Sequence, residues 1–113
     1  MPNTQTIQEL NDRMRQGDIS VPGQMLFTRG LSELLTEHSK SPIEVIQIVR
    51  DYDDFTEEND PNKEHDFGSF EFCCTKIFWK VDYYNPTMTF GSDDPSDPSK
   101  THRVLTVFLA SEY

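Results

Sequence analysis

Glycine is scarce: the 113 residues hold five, with no G-x-x-x-x-G-K-[ST], G-x-G-x-x-G or G-x-S-x-G among them. That is too few for a phosphate-cradling loop beside ordinary turns. Cysteine is scarcer still, with Cys73 and Cys74 side by side and no other. Neighbouring cysteines in one strand send their side chains to opposite faces and rarely meet disulfide geometry. Reduced thiols are the plain reading; a vicinal-thiol metal or redox site is the alternative, which no further cysteine supports. No apolar run approaches the ~20 residues of a membrane span. The opening stretch MPNTQTIQELNDRMRQ also lacks the apolar segment of a signal peptide, so a soluble cytoplasmic protein is expected.

Positive charge is short as well. Ten Lys and Arg stand against twenty Asp and Glu, a formal net charge of −10. Residues 1–50 carry six acids and five bases, whereas residues 51–113 carry fourteen acids and five bases. Such a field repels nucleic acid and anionic membranes and attracts basic surfaces. Direct nucleic-acid binding needs a basic footprint and is not expected. What the chain does have is aromatics, eight Phe, four Tyr and one Trp. Each buries a large area, so a few can build the core of one domain spanning residues 1–113.

Thr6 followed by Glu9 reads as a capping box, with Ile7, Leu10 and Met14 at helical spacing, which predicts a helix over about 6–16 ended by Gly17. Met25–Thr28 reads as a strand, and Leu31–Glu37 is ambiguous. Ser41, Pro42 and Glu44 combine a cap, a favoured first-turn proline and a completed box. A helix over about 42–53 follows, with Val45, Ile48, Val49, Tyr52 and Phe55 on one face. Residues 51–66, DYDDFTEENDPNKEHD, hold eight acids and break at Asp60-Pro61-Asn62. Alternation then predicts a hairpin, about 68–73 and 76–84, turning near Cys74 and Thr75. GSDDPSDPS over 91–99 reads as a loop. Arg103–Ala110 reads as a central strand, with a helix as the alternative. Helices early and strands late, without βαβ alternation, give an α+β fold: a small antiparallel sheet of about four strands packed with two helices.

Three stretches, NDPNKEHDFGSFE, FWKVDYY with the following GSDDPSDP, and RVLTVFLASEY, resemble a bacterial domain-of-unknown-function family, number 3768. Its members, mostly short alphaproteobacterial and plasmid- or phage-borne proteins, look like N-D-P-x-x-E-H-D-F-G, W-K-[IV]-D-Y-Y, G-S-x-D-P-x-D-P, R-V-L-T and a closing E-Y. The similarity covers roughly 48–113. It implies a compact α+β domain and a bacterial or mobile-element source, and brings no activity or catalytic residues. The Cys73-Cys74 pair departs from the pattern.

Glu64-His65-Asp66 is the most enzyme-like cluster, because neighbouring carboxylates raise and orient a histidine. The alternative is that His65 and Asp66 tie the loop onto the sheet by hydrogen bonds. No H-x-x-x-H or C-x-x-C spacing supports zinc, and neither His38 nor His102 has a ligand partner at diagnostic spacing. Lys80, Asp82 and Tyr84 share one strand face, with Lys80 and Asp82 about 6.5–7 Å apart along it. They read either as acid–base groups or as a half-exposed face laced by an ion pair, with Trp79 and Tyr83 in the core. No glycine lies between Asp51 and Asp66, which excludes an EF-hand. The Asp93-Asp94-x-x-Asp97 loop reads as weak Ca²⁺ binding or as solvated surface. No cofactor and no metal are expected.

The leading expectation is a non-enzymatic acidic protein-binding module. Asp51, Asp53, Asp54, Glu57, Glu58, Asp60, Glu64 and Asp66 would form its face, with Tyr52, Phe55, Tyr83 and Tyr84 as aromatic anchors. Spaced carboxylates imitate backbone phosphates and compete for the basic groove of a nucleic-acid-binding protein. The concrete version is a mobile-element-encoded inhibitor of a nucleic-acid-binding defence protein, of anti-CRISPR or antirestriction type. The alternatives are a small enzyme or metal-dependent hydrolase centred on His65, Asp66, Lys80, Asp82 and Tyr84, and a structural or homo-oligomeric accessory protein using its sheet edge or exposed aromatics.

Overall fold

Apolar residues at helical spacing near the start and at strand spacing near the end build two layers, seen in a computed structural model that describes residues 3–113. Helix α1 (Thr4–Arg15) is followed by strand β1 (Gly23–Phe27), helix α2 (Arg29–Glu37) and helix α3 (Pro42–Asp51). Strands β2 (Phe67–Phe72), β3 (Thr75–Tyr84) and β4 (His102–Leu109) complete the sheet, with short 3-10 turns at Pro98–Lys100 and Ala110–Glu112. The α+β class and the four strands are as the sequence predicts.

The sheet order is β1-β4-β3-β2. β2/β3 and β3/β4 are antiparallel, but β1 runs parallel to β4, with Gly23 opposite Arg103 and Phe27 opposite Val107. The sheet is therefore mixed. The long return from β1 to β4 carries two helices, so the domain has three in all. The ambiguous 31–37 stretch is α2, whose N-cap Thr28 accepts from Leu31 N–H. Arg103–Ala110 is a strand, central in the sheet.

Paired residues across the ladder share a face. Ile77, Trp79 and Val81 of β3 with Leu105 and Val107 of β4 meet Leu10, Met14, Leu31, Leu35, Val45 and Val49 of the three helices in one buried core. The other face carries Phe67, Phe78 and Phe108, with Phe78 edge-on to both Phe108 and Tyr113.

Three local expectations change. The capping box at Thr6 does not form, because the helix begins two residues earlier: Ile7 N–H already bonds Asn3 C=O at 2.9 Å. The box at Ser41 and Glu44 does form. The hairpin turns at Cys73-Cys74, one residue earlier than the pattern suggests, with φ of +53° and +57°. Both thiols are free, and they occupy a turn rather than alternate faces of a strand. At Gly68, paired with Trp79, any Cβ would lie 2.4 Å from the indole Nε1 and 2.7 Å from Tyr52 Cζ. Only glycine leaves room for that indole beside β2.

Candidate functional site

Helix α3 starts at its Ser41 box and ends under the guanidinium of Arg15, reaching across from α1. Arg15 Nη1 donates to the carbonyls of Val49, Arg50 and Tyr52 at 3.1, 3.1 and 2.9 Å, and Nη2 to Asp12 at 2.8 Å. The side chain is 2% exposed, 5.4 Å from the ring centres of Phe55 and Trp79. A cation here meets the negative end of the helix dipole and bonds the last carbonyls of the helix, of which Val49 C=O also accepts from Tyr52 N–H at 3.3 Å.

The chain beyond α3 is held in place. Tyr52 OH donates to Asp54 C=O, Asn59 Nδ2 donates to the same oxygen at 2.8 Å, and Thr56 and Asn59 bond each other twice. Asp51, Asp53, Asp54, Glu57 and Glu58 project from this fastened segment, all exposed. Beside them runs a shallow groove of about 710 Å³, floored by Ile43, Ile48, Tyr52 and Phe72 and rimmed by Glu44, Asp51, Asp53 and Asp54. Ile43 is 71% exposed. Phe72 belongs to β2, an edge strand.

The remaining predicted carboxylates turn inward. Asp60, 5% exposed, accepts from His65 N–H at 3.0 Å. Glu64 accepts from Tyr83 OH at 2.8 Å. Asp66 is half-buried, and burial followed by the charge of Glu64 raises its carboxyl above the usual range. Tyr83 is packed against the core, and burial pushes its phenol up. Tyr52 and Phe55 pack edge-on against each other and Trp79, so Phe55 is a core contact and Tyr52 a groove wall. Tyr84 lies on the opposite sheet face, paired with His102.

His65 Nδ1 lies 2.9 Å from Asp12 Oδ1, and its ring stacks on Phe55 with centroids 3.7 Å apart. It adopts φ +55°, held by Asp60. These bonds tie the loop to helix α1, whereas the sequence leads one to expect His65 and Asp66 to tie it onto the sheet; the Asp66 backbone does meet the sheet, its C=O accepting from Val81 N–H at 2.8 Å. Lys80 sits 3.6 Å from Asp82 as an ion pair on the open sheet face, with Lys80 also over Phe108. His65 faces α1, so the structure does not gather His65, Lys80 and Tyr84 into one pocket. Among the described residues no three His, Cys, Asp or Glu side chains stand close enough to hold a metal ion. Asp94 and Asp97 accept from the N–H and OH of Ser96 and Ser99, so they shape their own loop.

Sequence reasoning missed the buried polar frame behind this surface. Arg103, 0% exposed, donates Nε to Asn11 at 2.6 Å and Nη2 to Pro95 C=O, and lies over the Tyr83 ring. Asn11 Nδ2 donates on to Glu64 C=O and to Tyr83 OH. One signal was available: Arg103 shares its strand parity with Leu105 and Val107, the inward side of β4.

The chain matches the model of a protein family described as protein of unknown function (DUF3768) over residues 27–112, and it belongs to that family. No curated protein and no solved structure matches it. No helix among the described residues is long and apolar enough to cross a membrane.

Proposed function

We propose that this member of the family is a non-enzymatic protein-binding module that takes a basic, amphipathic segment of a partner in the groove along α3. The observation that carries the reading is the pairing of an apolar floor with a fastened row of exposed carboxylates. Ile43, Ile48, Tyr52 and Phe72 supply the area to be desolvated, and Asp51, Asp53, Asp54 and Glu44 supply the charge. Acidic rims of this kind speed encounter and select basic partners, while the apolar floor supplies most of the affinity. The net charge of −10 extends the same preference over long range. The finer version is phosphate mimicry, in which the carboxylates at 51–58 occupy the phosphate sites of a nucleic-acid-binding defence protein and inhibit it. Rigidity favours this version, since Arg15, Tyr52 and Asn59 hold the segment's backbone in one shape.

The test is affinity capture from a bacterial lysate at low and high salt, with mass spectrometry. A second bait carries Asp53→Asn, Asp54→Asn, Glu57→Gln and Glu58→Gln. The expected result is a basic protein held at low salt, released at high salt, and held at least tenfold less by the second bait. Competition by duplex DNA for the captured protein supports the mimic version. Equal capture by both baits, or no basic partner, overturns the reading.

A further inference from the structure

A second cleft, independent of the groove, opens between the end of α1, the start of β1 and α3. Its volume is about 510 Å³, within the range of small-molecule sites. Met14, Val21, Met25 and Ile46 give it apolar walls, and Ile19, 99% exposed, stands at its lip. Its charge is opposite to that of the molecule as a whole. Arg50 lines it and, among the described residues, its guanidinium has neither an ion pair nor a hydrogen bond. That guanidinium rests over Gly17, where a Cβ would come within 3.2 Å of Cζ. Arg15 lines the same cleft, and its buried Nε has no partner among the described residues. The one carboxylate at the cleft, Asp18, is already taken by Arg13, Ser20 N–H and Ser20 OH.

We propose that this cleft binds a small amphipathic monoanion, a carboxylate carried on an apolar body. The body would replace water along the Met14, Val21, Met25 and Ile46 walls. The carboxylate would pair with Arg50, whose planar fork matches two carboxylate oxygens. The apolar walls argue against free inorganic phosphate, which offers nothing to cover them. The charge argues against amines, which would meet the free guanidinium of Arg50.

Decanoate, below its micelle concentration, is the probe, with decanol as the uncharged comparator; both are titrated against the full chain by calorimetry and amide NMR. Decanoate should bind one to one, at least tenfold more tightly than decanol, and shift the amides of Gly17 and Gly23. Arg50→Gln, an exposed position with no side-chain partner to lose, should bring decanoate down to the level of decanol while leaving decanol unchanged. Ile46→Trp should block both. Equal binding of the two probes, undiminished decanoate binding in Arg50→Gln, or shifts confined to the groove at Ile43 and Phe72 would each overturn the proposal. The carboxylate-neutralised bait described for the groove should bind decanoate normally, so the two proposals fail separately.

Discussion

Replacing Arg15 with alanine removes the cap of α3 and the anchor of the acidic segment in one step. The cost can be worked from its contacts. Val49 C=O is buried and keeps only the 3.3 Å bond from Tyr52 N–H, so losing the guanidinium there costs ~0.5–1.5 kcal/mol. The carbonyls of Arg50 and Tyr52 lie nearer the surface, where water replaces the guanidinium at ~0.5–1 kcal/mol each. The space vacated beside Phe55 and Trp79 adds ~1–2 kcal/mol. Relief from desolvating a cation acts the other way, which leaves a net loss of about 3 kcal/mol, at the lower end of the ~3–5 kcal/mol typical when one member of a buried ion pair is removed. A domain of this size has ~5–15 kcal/mol of stability, so the variant still folds. Trp79, the one tryptophan, is buried and reports unfolding by fluorescence. In urea, with a slope of ~1.5 kcal/mol/M, the midpoint should fall by ~2 M. Arg15→Met, which keeps the apolar stem, should recover about 1 kcal/mol of it. A midpoint shift below ~0.5 M for the alanine variant would show that water serves those carbonyls as well as arginine does, and would refute the reasoning.

Gly68→Ala should cost ~3 kcal/mol, the upper end for overpacking, because the new methyl meets both Trp79 and Tyr52; a near-neutral urea midpoint would contradict the close fit. Cys73→Asn with Cys74→Gly should stabilise by ~1–2 kcal/mol, since both turn positions have positive φ and Asn-Gly suits such a turn without strain; thermal melting in reductant is the check, and a lowered Tm would count against it. Asp66 has a pH signature. Its folded carboxyl is raised, so its contribution favours the fold when protonated, is complete below pH about 4 and is lost as pH rises through the folded value. Asp66→Asn should therefore raise Tm at pH 7 and give no gain at pH 3, and an equal gain at both would show that its ionisation is not the cause.

The parts of the fold legible in the sequence are those whose signal is local. Ser41, Pro42 and Glu44 announce α3 because the cap is made by residues three apart. β3 and β4 declare themselves by parity and β-branched content. The parallel place of β1 is not legible, because Gly23 finds Arg103 far along the chain, beyond two helices and two strands, and nothing in five residues encodes that partner. The Thr6 box fails because a helix can start earlier wherever its residues tolerate it, and Asn3 supplies the first carbonyl. At the candidate site the exposed row 51–58 follows from composition. The inward turn of Asp60, Glu64 and Asp66 does not, since it depends on Tyr83, Asn11 and His65 meeting from three separate elements.

The central place of β4 also orders events during synthesis. β1 leaves the ribosome early and has no neighbour until β4 follows, because β4 alone joins it to β3. At ~5–20 residues per second, the interval between Phe27 and its partner Val107 is ~4–16 s. α2, α3 and then the β2–β3 hairpin are made within it, so until Tyr84 has emerged the apolar sides of the helices lack even that hairpin to cover them. The nascent chain thus carries an uncovered core and an open strand edge for seconds. A ribosome-bound chaperone that shields such stretches should engage it in that window and leave once Leu105 and Val107 dock.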